Sequence, residues 1–253
     1  MINKKFKFNK YIGILIAIPI LILVWYILSI VLDSKILPSP FMVFADIPEV
    51  LSKPETFNHV LYSLRRITIG MFISVFLGTI IGASMAYNKI VDSILSPIVY
   101  LTYPIPKLAL LPIVILTFGL GETSKIIMIV SILIFQIITS VRSAIQNIPK
   151  SNFNYFKIMG ASKLKTFCYI VIPIIIKQLF VTLKIATGTA ISVLFFTETF
   201  GTKNGGLGYY IMDMFQSANY IHMYTGIVLL SLIGFSIFIL LDVLEKLLTP
   251  WSV

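Results

Sequence analysis

Residues 94–118 read ILSPIVYLTYPIPKLALLPIVILTF. An α-helix rises about 1.5 Å per residue, so roughly 20 apolar residues cross the ~30 Å hydrocarbon core of a bilayer, and this run is long enough. It also contains Pro97, Pro104, Pro106 and Pro112. Each interior proline deletes an i→i−4 hydrogen bond. In lipid the freed carbonyls need partners, so such a helix persists only when it is buried in protein or faces a watery cavity. Two readings stay open: a broken helix beside a transport pathway, as membrane transport proteins use, or a simple kink in a packing helix.

The rest of the chain agrees with a membrane setting. Of 253 residues, 58% are hydrophobic and 12% charged, and the mean hydropathy is +0.97. A soluble domain keeps about a quarter of its residues charged, so most of this surface faces lipid. The fold class is therefore all-α, a polytopic helical membrane protein of about six transmembrane helices. The chain has room for one membrane domain, residues 11–253, behind a basic tail at 1–10. The start, with Lys4, Lys5, Lys7 and Lys10 before an apolar run, imitates a secretory signal. The run is longer than a signal's apolar region, and no small-x-small cleavage site follows, so it reads as an uncleaved span.

Outward from residues 94–118, the other expected spans cover about 11–32, 67–87, 126–141, 173–200 and 223–241. Arg65 and Arg66 mark the mouth of the second. The segment 41–51 contains Pro48, which argues against a long helix, and is placed at the membrane interface. Gly201–Gly208 reads as a flexible turn.

Six crossings put both termini on one side. If that side is the cytosol, it carries Lys4, Lys5, Lys7, Lys10, Lys89, Arg142, Lys150, Lys157, Lys163, Lys165, Lys177 and Lys246. Asp33, Asp46, Glu49, Glu55, Glu122 and Asp213 fall opposite, with Lys35, Lys53, Lys125 and Lys203. This positive-inside bias gives N-in and C-in. The formal charge of +10 is then topological, which removes nucleic acid as a partner.

Between the fourth and fifth spans, residues 142–169 interrupt the apolar pattern, and no Asp or Glu occurs from Thr123 to Thr197. Residues 152–159 and 163–167 read as two short helices, with Phe153, Phe156, Met159, Leu164 and Phe167 as an apolar side. Gly160 can end the first in a left-handed conformation and Ser162 can cap the second. A protruding apolar helix face with a basic rim suits the docking of a soluble partner.

Gly160-Ala161-Ser162 followed by Ile170-Val171-Ile172-Pro173 resembles the "EAA" loop of ABC importer permeases. Where that family often has Glu-Ala-Ala, this chain has Asn154-Tyr155-Phe156. The resemblance extends through Leu37-Pro38-Ser39-Pro40, Ser63-Leu64-Arg65-Arg66 with Gly70, Pro104 to Pro112 followed by Phe118-Gly119-Leu120-Gly121-Glu122, and Glu198 with Gly206-Leu207-Gly208. Together these are similar to the nitrate, sulfonate and taurine branch, which includes permeases for vitamin precursors.

The resemblance implies a type I importer core in the bacterial cell membrane, used as two copies. It implies a cytosolic ATPase dimer that binds ATP and Mg, so that this chain carries no cofactor and is not an enzyme, and an extracytoplasmic substrate-binding protein. The coupling loop would span about 142–172, with Asn154, Tyr155, Phe156, Lys157, Met159, Gly160, Ala161, Ser162, Leu164 and Phe167 as its contact residues.

Candidate pathway residues are Pro104, Pro106, Pro112, Lys184, Thr187, Gly188, Thr189 and Glu198. A lysine inside a span is costly, so Lys184 either pairs, snorkels to the cytosolic interface with Lys177, or faces the inner vestibule. Thr187-Gly188-Thr189-Ala190 lets helices approach closely, or borders a narrow path. Glu198 pairs with a base, faces a closed gate, or sits in water at the interface.

Gly119–Lys125 lacks the Gly-Lys-Ser/Thr of a phosphate-binding loop. Cys168, His59 and His222 are too few and too scattered for a structural zinc site. The rival readings are a secondary transporter, which needs intramembrane acid or histidine relays, and a membrane-embedded enzyme, which needs clustered acid–base or metal-binding groups.

Overall fold

A computed structural model of the protein describes residues 10–32, 36–200 and 205–252. Most of the basic tail, and Asp33, Lys35, Gly201 and Lys203, lie outside them. Among the described residues the secondary structure is entirely helical: α1 (Lys10–Val31), α2 (Pro40–Ser52), α3 (Pro54–Tyr87), α4 (Lys89–Thr102), α5 (Leu111–Phe118), α6 (Glu122–Gln146), α7 (Lys150–Ile158), α8 (Lys163–Thr166), α9 (Ile172–Thr199), α10 (Leu207–Gln216) and α11 (Tyr220–Leu248). Short 3-10 turns sit at Lys107–Leu110 and Pro250–Ser252, and a π-turn at Phe167–Val171.

Among the described residues, four helices are long and apolar enough to cross a membrane: α3, α6, α11, and the run Lys163–Thr199 that joins α8, the π-turn and α9. A bent pair, α4 with Lys107–Phe118, whose halves meet at 86°, makes a fifth when counted as one broken span. The apolar part of α1, Leu15–Val31, is at the short end of what spans. This helix lies at the periphery, anchored where Trp25 donates to the Pro38 carbonyl at 3.2 Å and its ring meets Phe44 and Tyr224.

Side-chain chemistry sets the helix boundaries. Ser39 caps α2 by accepting from the Met42 N–H, and Pro40 and Pro54 open α2 and α3 where no donor is needed. Asn88 ends α3 and accepts from Ile90 and Val91 to begin α4. Pro48 argues against a long helix, and the segment forms a short one. The proline sits within the thirteen residues of α2, whose Val43 and Val50 are buried and whose packing on α11 outweighs one lost bond. The second span starts thirteen residues earlier than expected, at Pro54, so Arg66 lies well inside α3 rather than at its mouth.

The core is built on α3 against α6, the most extensive helix contact. Gly70, Ser74, Gly78 and Gly82 recur every fourth residue on α3 and form its buried stripe. A Cβ on Gly70 would stand 2.6 Å from Ile129 Cγ2, and one on Gly82 would stand 2.7 Å from the Ile138 carbonyl. Small residues thus let the two backbones touch, as membrane helix pairs require. Ile129, Leu133, Ile137 and Val141 on α6 are fully buried behind this contact.

Candidate functional site

Three constructions on this frame carry polar chemistry. The first is the elbow between α6 and α9. α7 closes with paired bonds, the Ala161 N–H to the Phe156 carbonyl at 2.9 Å and the Gly160 N–H to Lys157 at 3.1 Å, and Gly160 takes a φ of +71°. This is a helix stop that favours glycine. Ser162 then accepts from the Lys165 N–H at 3.3 Å and starts α8.

The second short helix does not end at Phe167. Pro173 has no N–H to give, and the chain widens into the π-turn, where the Ile172 N–H reaches the Phe167 carbonyl five residues back. α8 and α9 are therefore one continuous helix, Lys163–Thr199. The apolar side expected for the elbow also divides. Phe153 and Phe156 turn inward onto the core, and Phe167 meets the Tyr87 ring at 6.0 Å. Tyr155, Ile158, Met159 and Leu164 point outward, with Ile158 and Met159 more than 80% exposed. Asn154, Lys157 and Ser162 are exposed beside them, and Ala161 is half-buried. Ile158, overlooked in the sequence, belongs to the outward face because it follows Tyr155 by three residues.

The second construction is a buried ionic knot at the opposite end. Arg66 and Glu198 are both fully buried. Arg66 Nη1 donates to Glu198 Oε1 at 2.7 Å and to the Gly205 carbonyl at 2.6 Å, while its Nε and Nη2 grip Glu122. Ser63 Oγ lies 2.8 and 2.9 Å from the Glu198 oxygens and accepts from the Leu207 N–H. The Gly208 N–H donates to Glu198 at 2.9 Å, and the Gly206 N–H donates to His59 Nδ1 at 3.2 Å.

Glu198 is therefore the pairing acid, and an interfacial carboxylate in water is excluded. Gly205–Gly208, expected as part of a flexible turn, is buried and wrapped around the pair. Glycine is needed there for close approach: a Cβ on Gly208 would lie 2.6 Å from the Phe195 carbonyl, and Gly206 has a φ of +91°. One knot thus ties α3, α6, α9 and α10 together. The signal in sequence was His59, Ser63, Arg66 and Gly70 at helical spacing opposite the lone acid of the fifth span. The elements that bring them together are more than 130 residues apart.

Beside the knot, between α3, α10 and α11, lies a cavity of about 830 Å³ lined by Lys53, His59, Tyr62, Tyr210, Asp213 and His222. Burial pushes the Tyr210 phenol well above its ordinary range, so it stays a neutral donor. His222 Nδ1 lies 3.1 Å from Asp46, whose other contact is the Thr225 hydroxyl at 2.6 Å.

The third construction is the break in the third span. Pro104, Pro106 and Pro112 are exposed along it. The 86° bend decides for a broken helix over a simple kink. At the break the Thr102 carbonyl accepts from the Ile105 N–H at 3.3 Å, and Lys107 Nζ adds bonds to the Thr102 and Tyr103 carbonyls at 3.2 and 3.4 Å. Across the gap on α9 the small-residue run splits by helical geometry. Thr187 is buried and bonded to the Leu183 carbonyl, Thr189 is half-buried facing the break, and Gly188 is open, with nothing within 4 Å of a Cβ placed there.

Lys184 does not face this gap. It is held by Asp242 at 3.1 Å and by Glu245, both on α11, and Asp242 also takes Lys246. Pairing, one of the three readings of that lysine, is the one realised. Arg142 lies within α6 rather than in a polar segment, and it pairs with Asp92 of α4 at 2.6 Å. Lys177 is exposed. Among the described residues no group of His, Cys, Asp or Glu could hold a metal.

Residues 74–251 match the family described as binding-protein-dependent transport system inner membrane component. The chain belongs to this family. The taurine transport system permease protein of Escherichia coli strain K12 is 26% identical, with 93% of this chain and 88% of that protein covered. The formylaminopyrimidine transport permease protein of Halalkalibacterium halodurans is 28% identical, covering 91% and 92%. The putative aliphatic sulfonates transport permease protein of Bacillus subtilis strain 168 is 24% identical, covering 98% and 90%.

In fold the family member resembles a chain of the inward-facing MetNI methionine ABC transporter, with a TM-score of 0.57 at 22% identity, over 74% of this chain and 94% of that one. It is a multi-pass permease subunit of an ABC importer, and membership implies an ATPase and a substrate-binding protein as its partners.

Proposed function

We propose that two copies of this permease form one pathway and that two cytosolic ATPases grip the elbow at residues 154–167. An extracytoplasmic binding protein delivers a small sulfonate, taurine, nitrate or vitamin-precursor-like solute to the opposite end, where the 830 Å³ cavity and the knot lie. Both termini are cytosolic in this reading, which follows the positive-inside bias. The solute classes are those named for the relatives.

The observation that carries the reading is the continuity of α8 with α9. Leu164 of the outward apolar face sits on this helix, the rest of that face lies on α7 just before the turn at 160–162, and the helix runs on to Glu198. Closure of the ATPases displaces the elbow, and the 37-residue helix that follows the 160–162 turn carries that displacement to the break and the knot. The face presented to the ATPase is apolar and basic, with Tyr155, Ile158, Met159 and Leu164 above Lys157, Lys163 and Lys165. Asn154, Tyr155 and Phe156 stand in place of the acidic motif, so the grip rests on apolar burial. The paired copy covers the exposed apolar residues of the bent span, among them Tyr100, Leu101, Ile113 and Leu116.

The test is reconstitution in liposomes with the ATPase and the binding protein. Uptake of labelled taurine, an alkanesulfonate or nitrate is expected to need ATP and both partners. Met159→Asp with Leu164→Asp is expected to abolish ATPase association while the permease still inserts. Uptake by the permease alone, driven by an ion gradient, would instead establish a secondary transporter.

A further inference from the structure

The cavity at the break of the third span holds a cation that the fold leaves without a carboxylate. The acids of α4, α6, α9 and α11 pair with other bases: Asp92 with Arg142, Glu122 and Glu198 with Arg66, Asp242 and Glu245 with Lys184. Among the described residues, Lys107 makes no ion pair. Its ammonium is held by dipoles and ring faces instead: the Thr102 and Tyr103 carbonyls at 3.2 and 3.4 Å, the Phe135 ring at 4.7 Å and the Tyr103 ring at 5.7 Å from their centroids. These soften the cost of burying a charge in a membrane helix but supply no full negative charge.

The space beside Lys107 is a cavity of about 400 Å³, walled by Phe135 and Gln136 of α6 and by Thr189, Ser192 and Val193 of α9. That volume suits a small solute. Ser192 spends its hydroxyl proton on the Gly188 carbonyl at 3.0 Å. The Gln136 amide and the Thr189 hydroxyl make no hydrogen bond to the protein among the described residues, so both remain able to donate into the cavity. No acid occurs between Thr123 and Thr197, so both walling helices are free of negative charge along these stretches.

We propose that this cavity is an anion-binding subsite of the transport pathway, with Lys107 supplying the charge and Gln136 and Thr189 the orienting donors, and that its occupant is a small sulfonate-type or comparable oxyanion. The inference rests on the permease reading and narrows its solute to species bearing an anionic oxygen group. A lysine ammonium has three donors; two are spent on carbonyls and the third gives the anion a charge-assisted bond. A cationic solute is repelled at the same point. Because α9 is one wall and is continuous with the elbow, the donors on Thr189 shift relative to Lys107 whenever the elbow moves, which provides a route for release.

The test reads local potential rather than transport. In a Cys168→Ser background, Ser192→Cys places a thiol on the wall. The permease, assembled with its ATPase in phosphatidylcholine nanodiscs, is labelled with methanethiosulfonates bearing a sulfonate or a trimethylammonium group. Relative to a free thiol, the sulfonate reagent is expected to be favoured. Lys107→Gln should lower that preference about tenfold, and Lys107→Arg should keep it. Methanesulfonate should slow labelling with Lys107 present and not with Lys107→Gln.

If Lys107→Gln fails to assemble, Gln136→Glu sets a carboxylate beside the lysine and should abolish the preference in the same way. A preference unchanged by either substitution overturns the proposal. So does protection by phosphatidylglycerol in the nanodisc but not by methanesulfonate, which would make the group a lipid-headgroup contact. Failure of the permease reading shows separately, as absent ATP-driven uptake, since labelling needs no turnover.

Discussion

Replacing Glu198 by glutamine removes one charge and almost no volume. Gly208 N–H and Ser63 Oγ can still bond the amide, so the perturbation isolates the ion pair. Arg66 is fully buried and keeps the Gly205 carbonyl and the carboxylate of Glu122, whose side chain is 40% exposed and partly screened by solvent. Removing one partner of a buried pair costs about 3–5 kcal/mol because the other charge is stranded. The surviving Glu122 contact places this case at the lower end, about 3 kcal/mol, or roughly a hundredfold in the folding equilibrium.

The same reasoning gives an unusual double variant. Arg66→Met with Glu198→Leu removes both charges, and it should be less destabilised than either single change. Reversible unfolding of the wild type, Arg66→Met, Glu198→Leu and the double variant in one detergent, followed by helical circular dichroism, closes the cycle, with Glu198→Gln measured beside it. A Glu198→Gln cost under about 1 kcal/mol, with additive behaviour in the double variant, would refute the claim that the knot is an energetically coupled pair.

Gly82→Val should destabilise by about 1–3 kcal/mol or prevent folding, since its Cβ meets the Ile138 backbone carbonyl on a helix that cannot retreat. Gly188→Ala, with open space around it, should be neutral or stabilise by up to about 1 kcal/mol in the same unfolding assay. Gly160→Ala should cost about 1–2 kcal/mol from its left-handed backbone alone, and limited proteolysis should then cut the elbow faster, with Gly160→Asn tolerated better. In an alkaline absorbance titration, Tyr210→Phe should delete a phenol that ionises above the exposed set, because burial raises the pKa of Tyr210; loss of an ordinary one would contradict its burial.

Much of this architecture was legible in the order of residues because it follows from local physics. Apolar runs of bilayer length, prolines that break the third span, the left-handed stop at Gly160 and the cap at Ser162 each depend on neighbours a few residues away. The family motifs were legible for the same reason, being short and ordered.

Errors arose where packing outweighed a local rule. The fifth span ran on through a π-turn, the second began thirteen residues early, and α10 lay unrecognised between two expected features. The Gly70, Ser74, Gly78 and Gly82 stripe carried its four-residue spacing in plain view, yet its meaning depended on α6 lying against it.

Charge is where the two sources of information divide. Sequence alone determined that ten acids face twenty bases, that the chain is helical and lipid-facing, and that an acid-free basic elbow interrupts it. Only the tertiary structure decided which charges neutralise one another: Arg66 with Glu198 across 132 residues, Lys184 with Asp242 across 58, and Lys107 with no acid among the described residues. Coulomb energy depends on separation in space and on the local dielectric, and neither is a function of distance along the chain.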